Sequence, residues 1–140
     1  MIKIAKENKK VRNATPITYN DIKFKSKLEA YTYKIFAEAG IILEYEVERF
    51  TLVDKFRYKD ENIRAITYKP DFIQKEYNFI IECKGYGNES FPLRWKLFKR
   101  HLYRTNNEVD IYIVKTQKDA KKLLEYILNK IKKNDKGDIN

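Results

Sequence analysis

The hydrophobic positions change period several times along the chain, and each change marks an element. Residues 1–14 are rich in Lys and Asn and show no period, which reads as a basic flexible arm. Ile17, Tyr19, Ile22 and Phe24 alternate around Asn20-Asp21, the pattern of a short hairpin. Ser26 followed three residues later by Glu29 forms a capping box. Leu28, Tyr31, Ile35 and Ala39 then recur at helical spacing until Gly40 supplies a stop. From Ile41 to Lys84 the chain is rich in Ile, Val, Phe, Tyr and Thr. Breakers at Asp60-Glu61-Asn62 and from Gln74 to Asn78 divide it into strands expected near 43–50, 51–58, 64–73 and 78–84, closed by Gly85 and Gly87. A helix is expected from Pro92 to Arg104, since Pro suits a first turn. Ile111 to Val114 has the look of a short buried strand. Thr116 can cap a last helix with an apolar stripe of Ala120, Leu123, Leu124, Ile127, Leu128 and Ile131; from Lys132 the chain turns polar and is expected to fray.

This order implies an α/β (α+β) fold with a central mixed β-sheet flanked by helices. The strand–helix–strand unit from Phe79 to Val114 should be a right-handed parallel crossover. A length of 140 residues suits one domain, expected over 15–133 between the arm and a polar tail at 134–140.

Charge adds a partner to this picture. Lys plus Arg number 30 against 20 Asp plus Glu, a formal net charge of +10. Such a surplus suits a polyanion, of which nucleic acid is the commonest; an acidic membrane surface or simple solubility are the other readings. One cysteine, Cys83, excludes an intrachain disulfide and a cysteine-rich zinc site, and one histidine, His101, excludes chemistry that needs two. No apolar run approaches a bilayer's thickness and no secretory h-region opens the chain, so a soluble, cytoplasmic protein is expected.

The candidate chemistry lies in Pro70-Asp71 and Glu82-Cys83-Lys84. On a strand from Phe79 to Lys84, Phe79, Ile81 and Cys83 point one way and read as core; Ile80, Glu82 and Lys84 point the other. A hairpin turning at Gln74 to Asn78 can bring Asp71 beside Glu82. Two such carboxylates repel unless a cation lies between them, and hard oxygen ligands suit Mg²⁺, with Mn²⁺ as a substitute. A neighbouring lysine can stabilise charge developing on a phosphate. A surface salt bridge between Glu82 and a lysine is the plain alternative.

Tyr68-Lys69-Pro70-Asp71-Phe72-Ile73 with Phe79-Ile80-Ile81-Glu82-Cys83-Lys84-Gly85 resembles the signature of the PD-(D/E)XK nucleases. Phe24-Lys25-Ser26-Lys27-Leu28-Glu29 resembles the F-x-S-x-x-E motif that opens the first helix in the phage Holliday-junction resolvases of the endonuclease I type. The resemblance spans about residues 17–115 and implies a restriction-endonuclease-like core. It also implies Mg²⁺-dependent hydrolysis of DNA phosphodiesters, often in branched DNA. It would make Asp71, Glu82, the Cys83 carbonyl and Glu29 metal ligands and Lys84 the catalytic lysine, although the capping box alone also explains Glu29. The carboxyl-terminal part departs from the resolvase pattern, being a plain amphipathic helix.

A binding surface is expected on the helix after Lys84. From Ser90 to Asn107 there is no acidic residue, while Arg94, Lys96, Lys99, Arg100 and Arg104 are basic. Trp95, Phe98 and Leu102 share one face, leaving a basic outer face able to hold a phosphate backbone or merely to be solvated. Lys69, on the same strand face as Asp71, is a further candidate contact. Three functions follow: a structure-selective endonuclease acting as a homodimer, since a junction needs two symmetry-related nicks; a nuclease on duplex or single strands; or a basic DNA-binding module without cleavage.

Overall fold

The computed structural model describes residues 16–85 and 90–139, with side chains as far as 135. The expected basic arm and Gly87 lie outside the described residues. Among these are ten strands and three helices, a mixed α/β arrangement as the sequence pattern implies. They form two compact units, each discontinuous in sequence. The described residues of the first are 16–43, 83–85 and 113–139; those of the second are 44–82 and 90–112.

The first unit begins with the hairpin β1 (Ile17–Tyr19) and β2 (Ile22–Phe24), paired Tyr19↔Ile22 around Asn20 and Asp21. Both turn residues have positive φ, 52° and 64°, the geometry of a two-residue hairpin turn matched to strand twist. Helix α1 (Lys27–Glu38) follows. The Ser26 hydroxyl accepts the Glu29 N–H at 3.1 Å, and the Glu29 carboxylate accepts the Lys25 N–H at 2.9 Å. The box thus closes one residue upstream of its usual partner. Gly40, at φ 84°, ends the helix region. The buried face is not the expected stripe. Leu28, Tyr31 and Ile35 are half-buried and Ala39 is exposed, while Glu29, Ala30, Thr32, Tyr33 and Phe36 are buried. The larger rings decide the rotation: Tyr33 stacks on Phe24 with centroids 5.1 Å apart, and Phe36 is fully buried. Helix α3 (Gln117–Ile139) packs on α1, and Ala120 and Ile127 are the most buried residues of its stripe. Thr116 caps it, accepting the Asp119 N–H at 3.1 Å. The segment from Lys132, expected to fray, continues the helix to Ile139.

The second unit contains a sheet of order β10-β9-β8-β3, formed by β3 (Glu44–Tyr45), β8 (Phe72–Gln74), β9 (Phe79–Cys83) and β10 (Asp110–Val114); β9 and β10 end in the first unit. The pairs β3/β8 and β8/β9 are antiparallel. Between β9 and β10, Asp110 N–H donates to the Asn78 carbonyl and Lys84 N–H to the Val114 carbonyl. These bonds ascend together along both strands, as parallel neighbours require. Both faces of β9 are covered, so Ile80 is as buried as Phe79 and Ile81, against the expectation of one core face. Ile111 to Ile113 are only half-buried because β10 is an edge strand.

The expected strands 51–58 and 64–73 are each broken. β4 (Phe50–Val53) pairs with β7 (Ile66–Tyr68), while β5 (Phe56–Tyr58) and β6 (Glu61–Ile63) form a separate exposed hairpin turning at Lys59-Asp60. Glu61 and Asn62 are therefore strand residues. Pro70 lacks the N–H a ladder needs and separates β7 from β8. Helix α2 (Phe91–Arg104) packs on β4, with Trp95, Phe98 and Leu102 buried as expected.

Candidate active site

In the second unit, the β8/β9 register ends at Phe72↔Ile81. Asp71 precedes that pair and Glu82 follows it, so the same register sets the two acids opposite each other on one side of the ladder. Asp71 is 8 % exposed and Glu82 is half-buried. Burial of this degree demands compensation for each carboxylate. Part of it comes from Tyr68, whose hydroxyl donates to Glu82 Oε1 at 2.5 Å. That bond fixes the carboxylate's orientation. The Tyr68 ring is itself held by Phe98 and Trp95, with centroids at 4.8 and 6.1 Å.

Neither Tyr68 nor Glu46 stands out in the sequence. Tyr68 reads there as one more sheet aromatic; its only signal is its place two residues before Pro70. Glu46 continues the β3/β8 register opposite Asp71, and its N–H donates to the Asp71 carbonyl at 2.9 Å. Its φ of 51° is uncommon for a side chain of this size. Among the described residues, no group of three or more His, Cys, Asp or Glu is gathered as a metal cage.

Glu29, Cys83 and Lys84 belong to the first unit. Glu29 is 6 % exposed and carries the capping bond from Lys25. One turn on, the Thr32 hydroxyl donates to the Leu28 carbonyl at 2.8 Å and accepts from Cys83 Sγ at 3.6 Å. Thr32, on the buried side of α1, therefore meets the end of β9 at Cys83, the residue before Lys84. Lys84 is half-buried, and its N–H is anchored on Val114.

The expected DNA-contacting residues fall in three places. Lys96, Lys99, Arg100 and Arg104 are exposed on α2, beside Tyr103, which is 83 % exposed. Arg94 is half-buried, and its guanidinium donates to the Thr67 carbonyl, so it braces α2 against β7. Lys69 lies on the connection at Pro70, outside β7 and β8, because the proline interrupts the expected strand. His101 is half-buried with its ring 5.9 Å from that of Phe50, a packing role.

No helix among the described residues is long and apolar enough to cross a membrane. No curated protein and no solved structure matches the chain. One family model does, over residues 9–121, a span that takes in Glu29, Asp71, Glu82, Lys84 and all of α2. The chain belongs to that family, described as "Protein of unknown function (DUF1064)".

Proposed function

We propose that this protein is a metal-dependent DNA endonuclease of the PD-(D/E)XK type, with a restriction-endonuclease-like core and a preference for branched DNA. The observation that supports this most is the register that sets Asp71 opposite Glu82, with Lys84 two residues further along the same chain segment. The donor set fits a hard divalent cation: two carboxylates, with the Cys83 carbonyl next in sequence and Glu29 as the further carboxylate the motif assigns. Bound there, Mg²⁺ or Mn²⁺ would polarise the scissile phosphate and acidify the attacking water. Asp71 and Glu82 hold the charge that retains the cation. Tyr68 keeps Glu82 from rotating, and Lys84 offers a fixed positive charge to the phosphate as its negative charge grows.

The deciding experiment incubates the protein and Mg²⁺ with labelled four-way junction, flap, duplex and single-stranded DNA. Paired symmetric nicks in the junction are expected, as a homodimer would make. Cutting of linear DNA alone would remove the branched preference. Tight binding without cleavage under any divalent metal would leave a binding module in place of an enzyme.

Three substitutions test individual roles. Tyr68→Phe keeps the ring packing but deletes the bond to Glu82; a 10- to 100-fold loss in cation affinity or rate is expected, of the size seen when groups that orient a ligand are removed. Titration of cleavage against Mg²⁺ measures it, and an unchanged curve would show that the bond has no functional weight. Glu29 is separated from its capping role by comparison with Ser26. Ser26→Ala should cost about 1 kcal/mol of stability and leave activity intact. Glu29→Gln keeps an acceptor for the Lys25 N–H, so it should melt near the parent and lose at least about tenfold in cleavage. A Glu29→Gln protein with full activity would restrict Glu29 to capping.

A further inference from the structure

Helix α3 carries a charged face that the nuclease site does not use. Six lysines lie between Gln117 and Lys133: Lys118, Lys121, Lys122, Lys130, Lys132 and Lys133. All six are exposed. At 3.6 residues per turn, Lys118, Lys122 and Lys133 fall within an arc of about 60°, opposite buried Ala120 and Ile127. Lys121 and Lys132 flank this crest on one side. On the other, Lys130 Nζ sits 5.8 Å from the ring centre of Tyr126. Two acids interrupt the run. Asp119 is taken up by the helix cap, accepting the N–H groups of Lys115 and Thr116 at 3.0 and 3.2 Å. Glu125 is exposed and falls on the same side as the lysines, and Asp135 is exposed just beyond Lys133.

We infer that this lysine crest is a second nucleic-acid contact, holding a phosphodiester backbone without regard to sequence. It deepens the proposed function by adding a surface for the same substrate class, but it needs no cleavage to be true. The crest from Lys118 to Lys133 is about 22 Å long at 1.5 Å per residue, the length of about six base-pair steps at 3.4 Å. Cations at both ends of that length, Lys118, Lys121 and Lys122 at one and Lys130, Lys132 and Lys133 at the other, suit an extended polyanion, whereas a small anion would need converging donors. An anionic membrane would need exposed apolar side chains to insert. The apolar stripe of α3 faces protein, packed on α1, and Tyr126 is the one large hydrophobic side chain exposed on its described residues. Lysine rather than arginine throughout the crest suits point contacts to phosphate more than bidentate reading of bases.

The test replaces Lys118, Lys122 and Lys133 together with Gln in the full chain, a change helices tolerate. Binding to fluorescent duplex and four-way junction is followed by anisotropy in EDTA across a salt series, with far-UV circular dichroism to check folding. Each lost phosphate contact lowers the slope of log K against log salt by about 0.9, so the slope should fall by about 2.7, with affinity at least about tenfold weaker on both DNAs. The triple Lys96, Lys99 and Arg100 to Gln on α2 serves as comparison. Unchanged slope and affinity in the α3 variant, or loss only of binding to phosphatidylserine vesicles, would overturn the inference. Cleavage by the parent with no effect of the α3 variant would sink the crest and keep the nuclease. A fall in slope without any cleavage by the parent would do the reverse.

Discussion

Lys84→Ala and Asp71→Asn are each expected to reduce Mg²⁺-dependent cleavage by at least about 10³-fold while leaving DNA affinity in EDTA nearly unchanged. The two lose activity for different reasons. Asp71→Asn removes one of the two opposed carboxylate charges proposed to retain a cation, so raised Mn²⁺ should recover part of the rate. Lys84→Ala leaves the carboxylates intact and removes the charge offered to the phosphate, so metal cannot compensate. Neither change should unfold the chain. Asn at 71 preserves shape on a buried position, and the Lys84 backbone bond to Val114 does not involve its side chain. Single-turnover cleavage across a metal titration separates the two patterns. Normal cutting by Lys84→Ala would show that the lysine is only a half-buried structural residue.

Much of this site can be read from the sequence because its parts are local. Strand alternation and a short turn suffice to place Asp71 against Glu82, and the observed register agrees. What cannot be read is everything that supports it across the chain. Tyr68 reaches Glu82 over fourteen residues, and its ring is positioned by a helix that begins at Phe91. Glu46 arrives opposite Asp71 only because β3 adds to the far side of β8. No period or motif encodes either neighbour.

The fold shows the same division. The β1–β2 hairpin, the caps at Ser26 and Thr116, Gly40 and the span of α2 follow from nearest-neighbour chemistry, and all appear as expected. Local pattern and structure part where tertiary packing chooses between local options. Helix α1 offers two apolar stripes, and the one with Tyr33 and Phe36 wins because those rings bury more area than Leu28 and Ile35. That choice turns Glu29 inward, which the alternative stripe would have left outside. Pro70 interrupts the strand pattern, yet its consequence for Lys69 depends on whether β7 and β8 need a shared ladder, and they do not: β7 pairs with β4 and β8 with β9.

Phe98→Ala should be the most destabilising single change in the second unit. Phe98 is fully buried and its ring lies 5.1 Å from Phe50, 4.8 Å from Tyr68 and 6.0 Å from Trp95. Truncation removes three aromatic contacts and leaves a cavity, at a cost of about 3–5 kcal/mol. Against a typical stability of roughly 5–15 kcal/mol, that is a large share, and a fall in melting temperature of about 10 °C or more is expected. The effect should also reach the chemistry, because Tyr68 loses the partner that fixes its ring while its hydroxyl holds Glu82. Phe98→Leu separates the two consequences: it refills most of the volume but offers no ring. Its melting temperature should lie well above that of Phe98→Ala, with cation affinity still shifted toward that of Tyr68→Phe. If Phe98→Leu instead binds the cation like the parent, Tyr68 is held by Trp95 alone, and the aromatic cluster serves stability without tuning the carboxylate.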